Sequence, residues 1–134
     1  MTRKQKIIQK AINENIIDNN LTAIGIMDFN RLDKTVADVY ASFPNNFTHT
    51  FAVKANALVE VLKSLRKSGM GAEVASPGEL LIALKAGYEV ENIIFDSPAK
   101  TMDDLTTCIK NSISLNIDNL QELARIDKLM LQYP

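Results

Sequence analysis

Apolar residues recur along this chain with two different periods, and the alternation between them sets out its architecture. Over residues 2–18, Ile7, Ile8, Ala11, Ile12 and Ile16 fall at helical spacing, with lysines and glutamines on the opposite side, which predicts an amphipathic helix. Asn19-Asn20 interrupts it. Residues 21–27 then read as a short apolar strand before Asp28, and a second helix is expected over 31–43, ended by the Pro44-Asn45-Asn46 turn. From residue 48 onward the pattern becomes regular, with strands expected over 50–53, 71–75, 92–95 and 112–117, each followed by a helical stretch. The helices present apolar faces at Leu58, Val61, Leu62 and Leu65, at Leu80, Leu81 and Leu84, at Leu105, Cys108 and Ile109, and at Leu120, Leu123 and Met130. A strand recurs roughly every twenty residues, which suits a minimal strand-plus-helix unit, so four such units predict a parallel sheet.

Helix-start chemistry supports that division. Ser76-Pro77-Gly78-Glu79 has the form of a capping box with proline at the first helical position, and Thr101-Met102-Asp103-Asp104 and Asp118-Asn119-Leu120-Gln121 are weaker versions. Gly69 and Gly87 stand where helices should end. An open doubly wound sheet and part of a closed eight-stranded barrel both accept four consecutive units, and the repeat does not choose between them. No GxGxxG or Walker-type loop follows any strand, which disfavours dinucleotide or nucleoside-triphosphate binding.

Composition narrows the possibilities further. The 134 residues suffice for one domain with a real core, and a formal net charge of −1 argues against a broad nucleic-acid surface, since the basic cluster Arg3, Lys4 and Lys6 is balanced further along. No continuous apolar stretch follows the first residues, so neither a secretory signal nor a membrane span is expected, and a cytoplasmic protein is. Cys108, the single cysteine, falls in the helix expected over 102–111 and reads as a small core residue. His49, the single histidine, lies at the start of a strand, where a structural role outweighs a catalytic one.

Lys54 is the residue with chemical promise. It ends the apolar run Thr50-Phe51-Ala52-Val53 at what should be the C-terminal rim of the sheet. A primary amine at the mouth of an apolar cleft readily gives up a proton, and as the free amine it forms a Schiff base with an aldehyde. From position alone, a lysine meeting solvent after a strand is the commoner explanation. Ser76, Glu79 and Asp118 likewise have an ordinary explanation as groups that satisfy backbone amides at helix starts.

Four short motifs in fixed order make the pattern specific: Phe51-Ala52-Val53-Lys54-Ala55-Asn56; Gly71-Ala72-Glu73-Val74-Ala75-Ser76-Pro77-Gly78-Glu79-Leu80; Ile94-Phe95-Asp96-Ser97-Pro98-Ala99-Lys100-Thr101; and Asn116-Ile117-Asp118-Asn119-Leu120-Gln121-Glu122-Leu123. Over residues 25–129 the chain resembles the diaminopimelate/ornithine/arginine decarboxylases. The resemblance implies the N-terminal half of an alanine-racemase-like (β/α)8 barrel, four parallel βα units preceded by helix, strand and helix, with residues 1–28 as a lead-in and 29–134 as a partial barrel domain. It implies pyridoxal 5′-phosphate as cofactor, carried by Lys54 as an aldimine. Glu73 matches a strand-end acidic position that the family usually fills with aspartate, and the longer side chain is a departure. Ser76 and Glu79 match the family's Ser-x-x-Glu pattern at the rim of the cofactor site, which is compatible with capping.

The implied chemistry is loss of the α-carboxylate from an amino acid, with the protonated pyridine ring taking up the electrons. A barrel takes about 250 residues, so four units supply half of one. The family's glycine-rich phosphate cradle, ring-stacking histidine, acid facing the pyridine nitrogen and C-terminal elements that complete the site across a dimer have no match here. The sequence thus reads as an N-terminal portion of a decarboxylase, active in the full-length protein. Diaminopimelate, ornithine, lysine and carboxylated polyamine precursors remain open as substrates, and homodimerisation or higher self-association is expected. A non-catalytic truncated relative or associating half-barrel is the alternative, and a racemase-like barrel is a third.

Overall fold

The computed structural model describes residues 1–18, 20 and 23–133. Six helices and four strands follow in the order α1 (Arg3–Asn13), α2 (Phe29–Ser42), β1 (Thr50–Ala52), α3 (Val59–Lys67), β2 (Gly71–Val74), α4 (Pro77–Lys85), β3 (Ile93–Phe95), α5 (Met102–Lys110), β4 (Ser114–Leu115) and α6 (Leu120–Met130). All four strands are parallel and lie side by side in sequence order, with Phe51 opposite Ala72, Glu73 opposite Ile94 and Phe95 opposite Leu115. A doubly wound sheet reverses its strand order part way across, and this one does not.

Alternate strand residues meet very different surroundings. Ala72, Val74, Ile93 and Phe95 are almost fully enclosed, packed with Val61, Leu62 and Leu65 of α3, Leu80 and Ala83 of α4 and Cys108 of α5. The intervening row, Ala52, Glu73 and Ile94, is only half-buried. The sheet is therefore covered on one face and open on the other, as in a barrel wall whose inner surface is exposed.

Turn chemistry fixes the strand and helix ends. Gly69 and Gly87 adopt φ of +84° and +90° just past α3 and α4, which a residue with a Cβ enters only under strain. Gly71 serves a different need, because a Cβ there would lie 2.8 Å from the Asn92 carbonyl oxygen and 3.0 Å from the Thr50 side chain. The Tyr88 hydroxyl is buried and donates to the Leu62 carbonyl oxygen at 3.2 Å; burial pushes its pKa up to about 12.

Several details depart from the sequence pattern. Each strand is shorter than expected, and after Ala52 the chain turns into a single 3-10 turn over Val53–Ala55. The strand expected over 21–27 does not form in its described part, residues 23–27, where no partner strand lies alongside, and residues 21 and 22 fall outside the described residues. The Ser76 hydroxyl caps the Glu79 amide, but the Glu79 carboxylate accepts from the Ala75 amide instead of the Ser76 amide, so the box is incomplete. The Thr101–Asp104 pair forms the full reciprocal box, and on α6 the cap is Asn119, one residue beyond Asp118.

The buried helix faces also shift. On α4 the enclosed residues are Leu80 and Ala83, leaving Leu81 68% exposed. On α6 the expected apolar face is turned outward, with Leu120 80% exposed, while Glu122 and Leu129 point in. The reason is electrostatic: Glu122 meets Lys100 in the interior at 2.6 Å. Helix α1 forms as an amphipathic segment, yet Ile8, Ile12 and Ile16 remain exposed and only Ala11 is buried. Among the described residues no helix is long and apolar enough to cross a membrane.

Cys108 is enclosed in the core, and desolvation, reinforced by the negative charge of Asp104, pushes its thiol up to about 11. At pH 8 the folded protein should react with a thiol reagent about a hundredfold more slowly than an exposed cysteine, from suppressed thiolate alone. Urea-unfolded protein should react at the ordinary rate, as stopped-flow labelling in the two states can show.

Candidate functional site

Parallel strands deliver their C-terminal ends to one rim, and the side chains that leave the sheet there converge. Lys54 sits in the 3-10 turn immediately after β1, while its neighbour Val53 is buried and anchors that turn in the core. Glu73 is the third residue of β2, paired in register with Ala52. Because Ala72 and Val74 face the helices, Glu73 faces the open side. The structure thus brings two of the sequence-predicted residues together: Lys54 Nζ lies 3.4 Å from Glu73 Oε1.

The contact is loose and partly solvated, with the lysine side chain 61% exposed and the glutamate 25%. The expected apolar cleft is not closed around the exposed Lys54 side chain. An exposed ion pair of this length contributes about 0–1 kcal/mol to stability. Its interest is chemical: an amine accessible from the open face, with a carboxylate beside it, has the donor set that a carbonyl compound needs. The geometry accordingly fits the aldehyde end of a pyridoxal-type group.

Ser76 and Glu79 form a second cluster. Both belong to the turn between β2 and α4, where Ser76 Oγ accepts from the Glu79 amide at 3.2 Å and Glu79 Oε2 accepts from the Ala75 amide at 2.9 Å. They fix the strand-end turn that follows Glu73, and neither makes a hydrogen bond to Lys54 or Glu73 among the described residues. Asp118 accepts from the Asn119 side-chain amide at 3.1 Å and leaves the cap to its neighbour.

Two charged residues on this rim were not singled out by pattern: Lys100, in the loop after β3, and Glu122, at the start of α6. Both stand inside the quoted motifs, but a lysine in a loop and a glutamate in a first helical turn look like surface residues. A groove of about 790 Å³ lies elsewhere, between α1 and the segment leading to α2, lined by Ile7, Ile8, Ile24 and Ile26 with Arg3 and Asp28. There Arg3 Nε meets Asp28 at 2.6 Å, and that hydrogen bond lowers the aspartate's pKa. Lys4 also lines this groove, but it stands on α1 and not at a strand end.

Residues 29–133 match the family described as pyridoxal-dependent decarboxylase, pyridoxal binding domain. The diaminopimelate decarboxylase of Methanothermobacter thermautotrophicus is 25% identical over 117 residues, a stretch covering 85% of this chain and 27% of that protein. The crystal structure of diaminopimelate decarboxylase from Helicobacter pylori complexed with L-lysine superposes with a TM-score of 0.69 at 29% identity, over 78% of this chain and 27% of that one. Lysine/ornithine decarboxylase from Vibrio vulnificus complexed with putrescine shares the fold, with a TM-score of 0.77 at 17% identity over 96% of this chain and 34% of that one. The chain spans about a quarter to a third of the length of these relatives. Its four βα units correspond to the N-terminal half of their alanine-racemase-like (β/α)8 barrel, which resolves the choice of architecture that the repeat left open. With the family match spanning most of its length and the fold shared, the chain belongs to the pyridoxal-dependent decarboxylase family, matching an N-terminal part of its pyridoxal-binding domain.

Proposed function

We propose that this chain supplies the cofactor-anchoring half of a pyridoxal 5′-phosphate-dependent decarboxylase acting on diaminopimelate, ornithine, lysine or a related basic amino acid. The observation that carries the reading is the Lys54 amine, standing at the β1 rim of a pyridoxal-binding domain 3.4 Å from Glu73. Residues 1–28 form a lead-in segment, and 29–134 form the partial barrel domain.

Each residue has a distinct task in this reading. Lys54 would hold the cofactor at its aldehyde carbon through Nζ, with loss of the aldehyde oxygen as water, and the buried Val53 beside it keeps the amine at the rim. When bound, the cofactor supplies an electron sink for the pair released as the α-carboxylate departs. Glu73 sets a carboxylate beside Lys54 Nζ and orients that amine. Ser76 and Glu79 keep the β2–α4 turn rigid, so that Glu73 does not drift from the amine, and both would stand at the rim of the cofactor site. Charge at the rim is thereby fixed before substrate arrives.

A second reading has its own support. The half-buried row Ala52, Glu73 and Ile94 leaves one face of the sheet uncovered, and β1 and β4 are both free edges within the described sheet. Uncovered edges and faces promote association, so a half-barrel that acts by pairing with another chain is the alternative, and homodimerisation or higher self-association accompanies either reading. A cytoplasmic setting suits both.

Three outcomes are expected. Borohydride reduction of the full-length protein loaded with pyridoxal 5′-phosphate should place the pyridoxyl group on Lys54, and Lys54→Ala should abolish both labelling and turnover while moving stability by less than about 0.5 kcal/mol. A label on a different lysine would refute the anchor. Glu73→Gln should lower turnover by about fivefold, the size of one lost, partly solvated contact of about 1 kcal/mol, with Glu73→Asp milder. Unchanged turnover and cofactor affinity in Glu73→Gln would show a merely solvated strand-end acid. The 134-residue chain alone should sediment as a dimer or larger species at micromolar concentration, and a strictly monomeric, cooperatively melting species would contradict the open-face argument.

A further inference from the structure

Lys100 and Glu122 are the buried charged residues among those described, and neither has a task in the chemistry assigned to Lys54 and Glu73. Lys100 Nζ lies 2.6 Å from Glu122 Oε1, and both side chains are 0% exposed. The same ammonium donates to the Ser97 carbonyl oxygen at 2.7 Å. One nitrogen therefore ties the loop between β3 and α5 both to itself and to the first turn of α6.

That loop is on the rim. It leaves the sheet at Asp96, whose amide donates to the Val74 carbonyl oxygen at the end of β2, and the Asn116 amide beyond β4 donates to the Phe95 carbonyl oxygen. The strand that carries Glu73 is thus hydrogen-bonded directly to the start of the tethered loop. Little else holds the loop to α6: Arg125 Nη1 donates to the Lys100 carbonyl oxygen at 3.3 Å, while Glu122 Oε2 has no hydrogen-bond partner and lies 3.9 Å from Arg125 Nη2. The tether runs mainly through the single contact between Lys100 Nζ and Glu122 Oε1.

Stability alone does not explain such a pair, because well-packed apolar residues of similar volume often do as well or better in the same space. A charged pair differs in being directional. Apolar side chains fill the cavity without fixing the Ser97 carbonyl, whereas the ammonium fixes it within hydrogen-bond reach. We propose that Lys100 is a positioning residue: paired with Glu122, it holds the loop of residues 96–101 as a fixed wall of the rim on which Lys54 and Glu73 stand, and so tightens the hold on pyridoxal 5′-phosphate. The effect on the cofactor rests on the reading of that rim given above; the effect on the loop does not.

The test compares full-length protein with the double variant Lys100→Met/Glu122→Leu, which removes both charges and keeps the space filled, so that folding survives where Lys100→Met alone leaves a buried unpaired carboxylate. Backbone hydrogen exchange of residues 96–101, the thermal midpoint and the pyridoxal 5′-phosphate dissociation constant are measured on both. The expected result is a thermal midpoint near the parent's, exchange in 96–101 faster by about tenfold with β2 and β3 unchanged, and a dissociation constant raised by about tenfold. Parent-like exchange in 96–101 would overturn the proposal, leaving the pair as packing. A loosened loop with an unchanged dissociation constant would overturn its role at the cofactor. A parent protein that binds no pyridoxal 5′-phosphate would instead refute the cofactor reading, and the exchange comparison would still decide whether Lys100 positions the loop.

Discussion

Everything at the rim depends on one packing constraint, the enclosure of alternate strand residues beneath α3, α4 and α5. Val53, Ala72, Val74, Ile93 and Phe95 are pressed into contact with Leu62, Leu65, Ala83 and Cys108. Fully burying a side chain of the size of Leu or Phe is worth about 1.5–3 kcal/mol, and a one-residue slip of any strand would bring the opposite set of side chains under the helices. For β2 that slip would carry Glu73 into the core. The hydrophobic register therefore decides where the carboxylate points, and the position of Lys54 follows from the burial of Val53 one residue earlier.

This explains which features were legible from sequence. The parallel sheet and its four units followed from period, because each depends on local pattern, whereas a carboxylate of Glu73 beside Lys54 was expected only through the family resemblance. Helix starts were legible in the same way, although Asn119 displaced Asp118 and Glu79 turned back to Ala75, choices that several adjacent polar residues leave to fine geometry. The faces of α4 and α6 were less legible. Leu81 and Leu120 look like core residues, yet Ala83 and Glu122 occupy the interior, since small size and a distant partner matter more there than hydropathy. No local pattern announces that Glu122 will meet a lysine twenty-two residues earlier in the chain.

The uneven covering of the chain has a similar logic. On the sheet's open face the half-buried row carries the candidate chemistry, and around α1 the apolar residues line a groove beside Arg3 and Asp28 without forming a core. Burial is concentrated where crossovers return the chain to the same face. The candidate chemistry stands where they do not, since an amine that is to meet a small molecule is of no use beneath a helix.

Gly71 shows how narrow the tolerances are. Its missing Cβ lets the Asn92 carbonyl approach to where a methyl group would lie 2.8 Å away. Any larger residue would wedge β2 away from the segment entering β3, at the opposite end of the strands from the rim. A parallel strand behaves as a short lever, so a displacement at its base would change, two residues on, the 3.4 Å that separates Glu73 from Lys54. The distance between acid and base at the top of this sheet is thus set in part by a hydrogen atom at its foot.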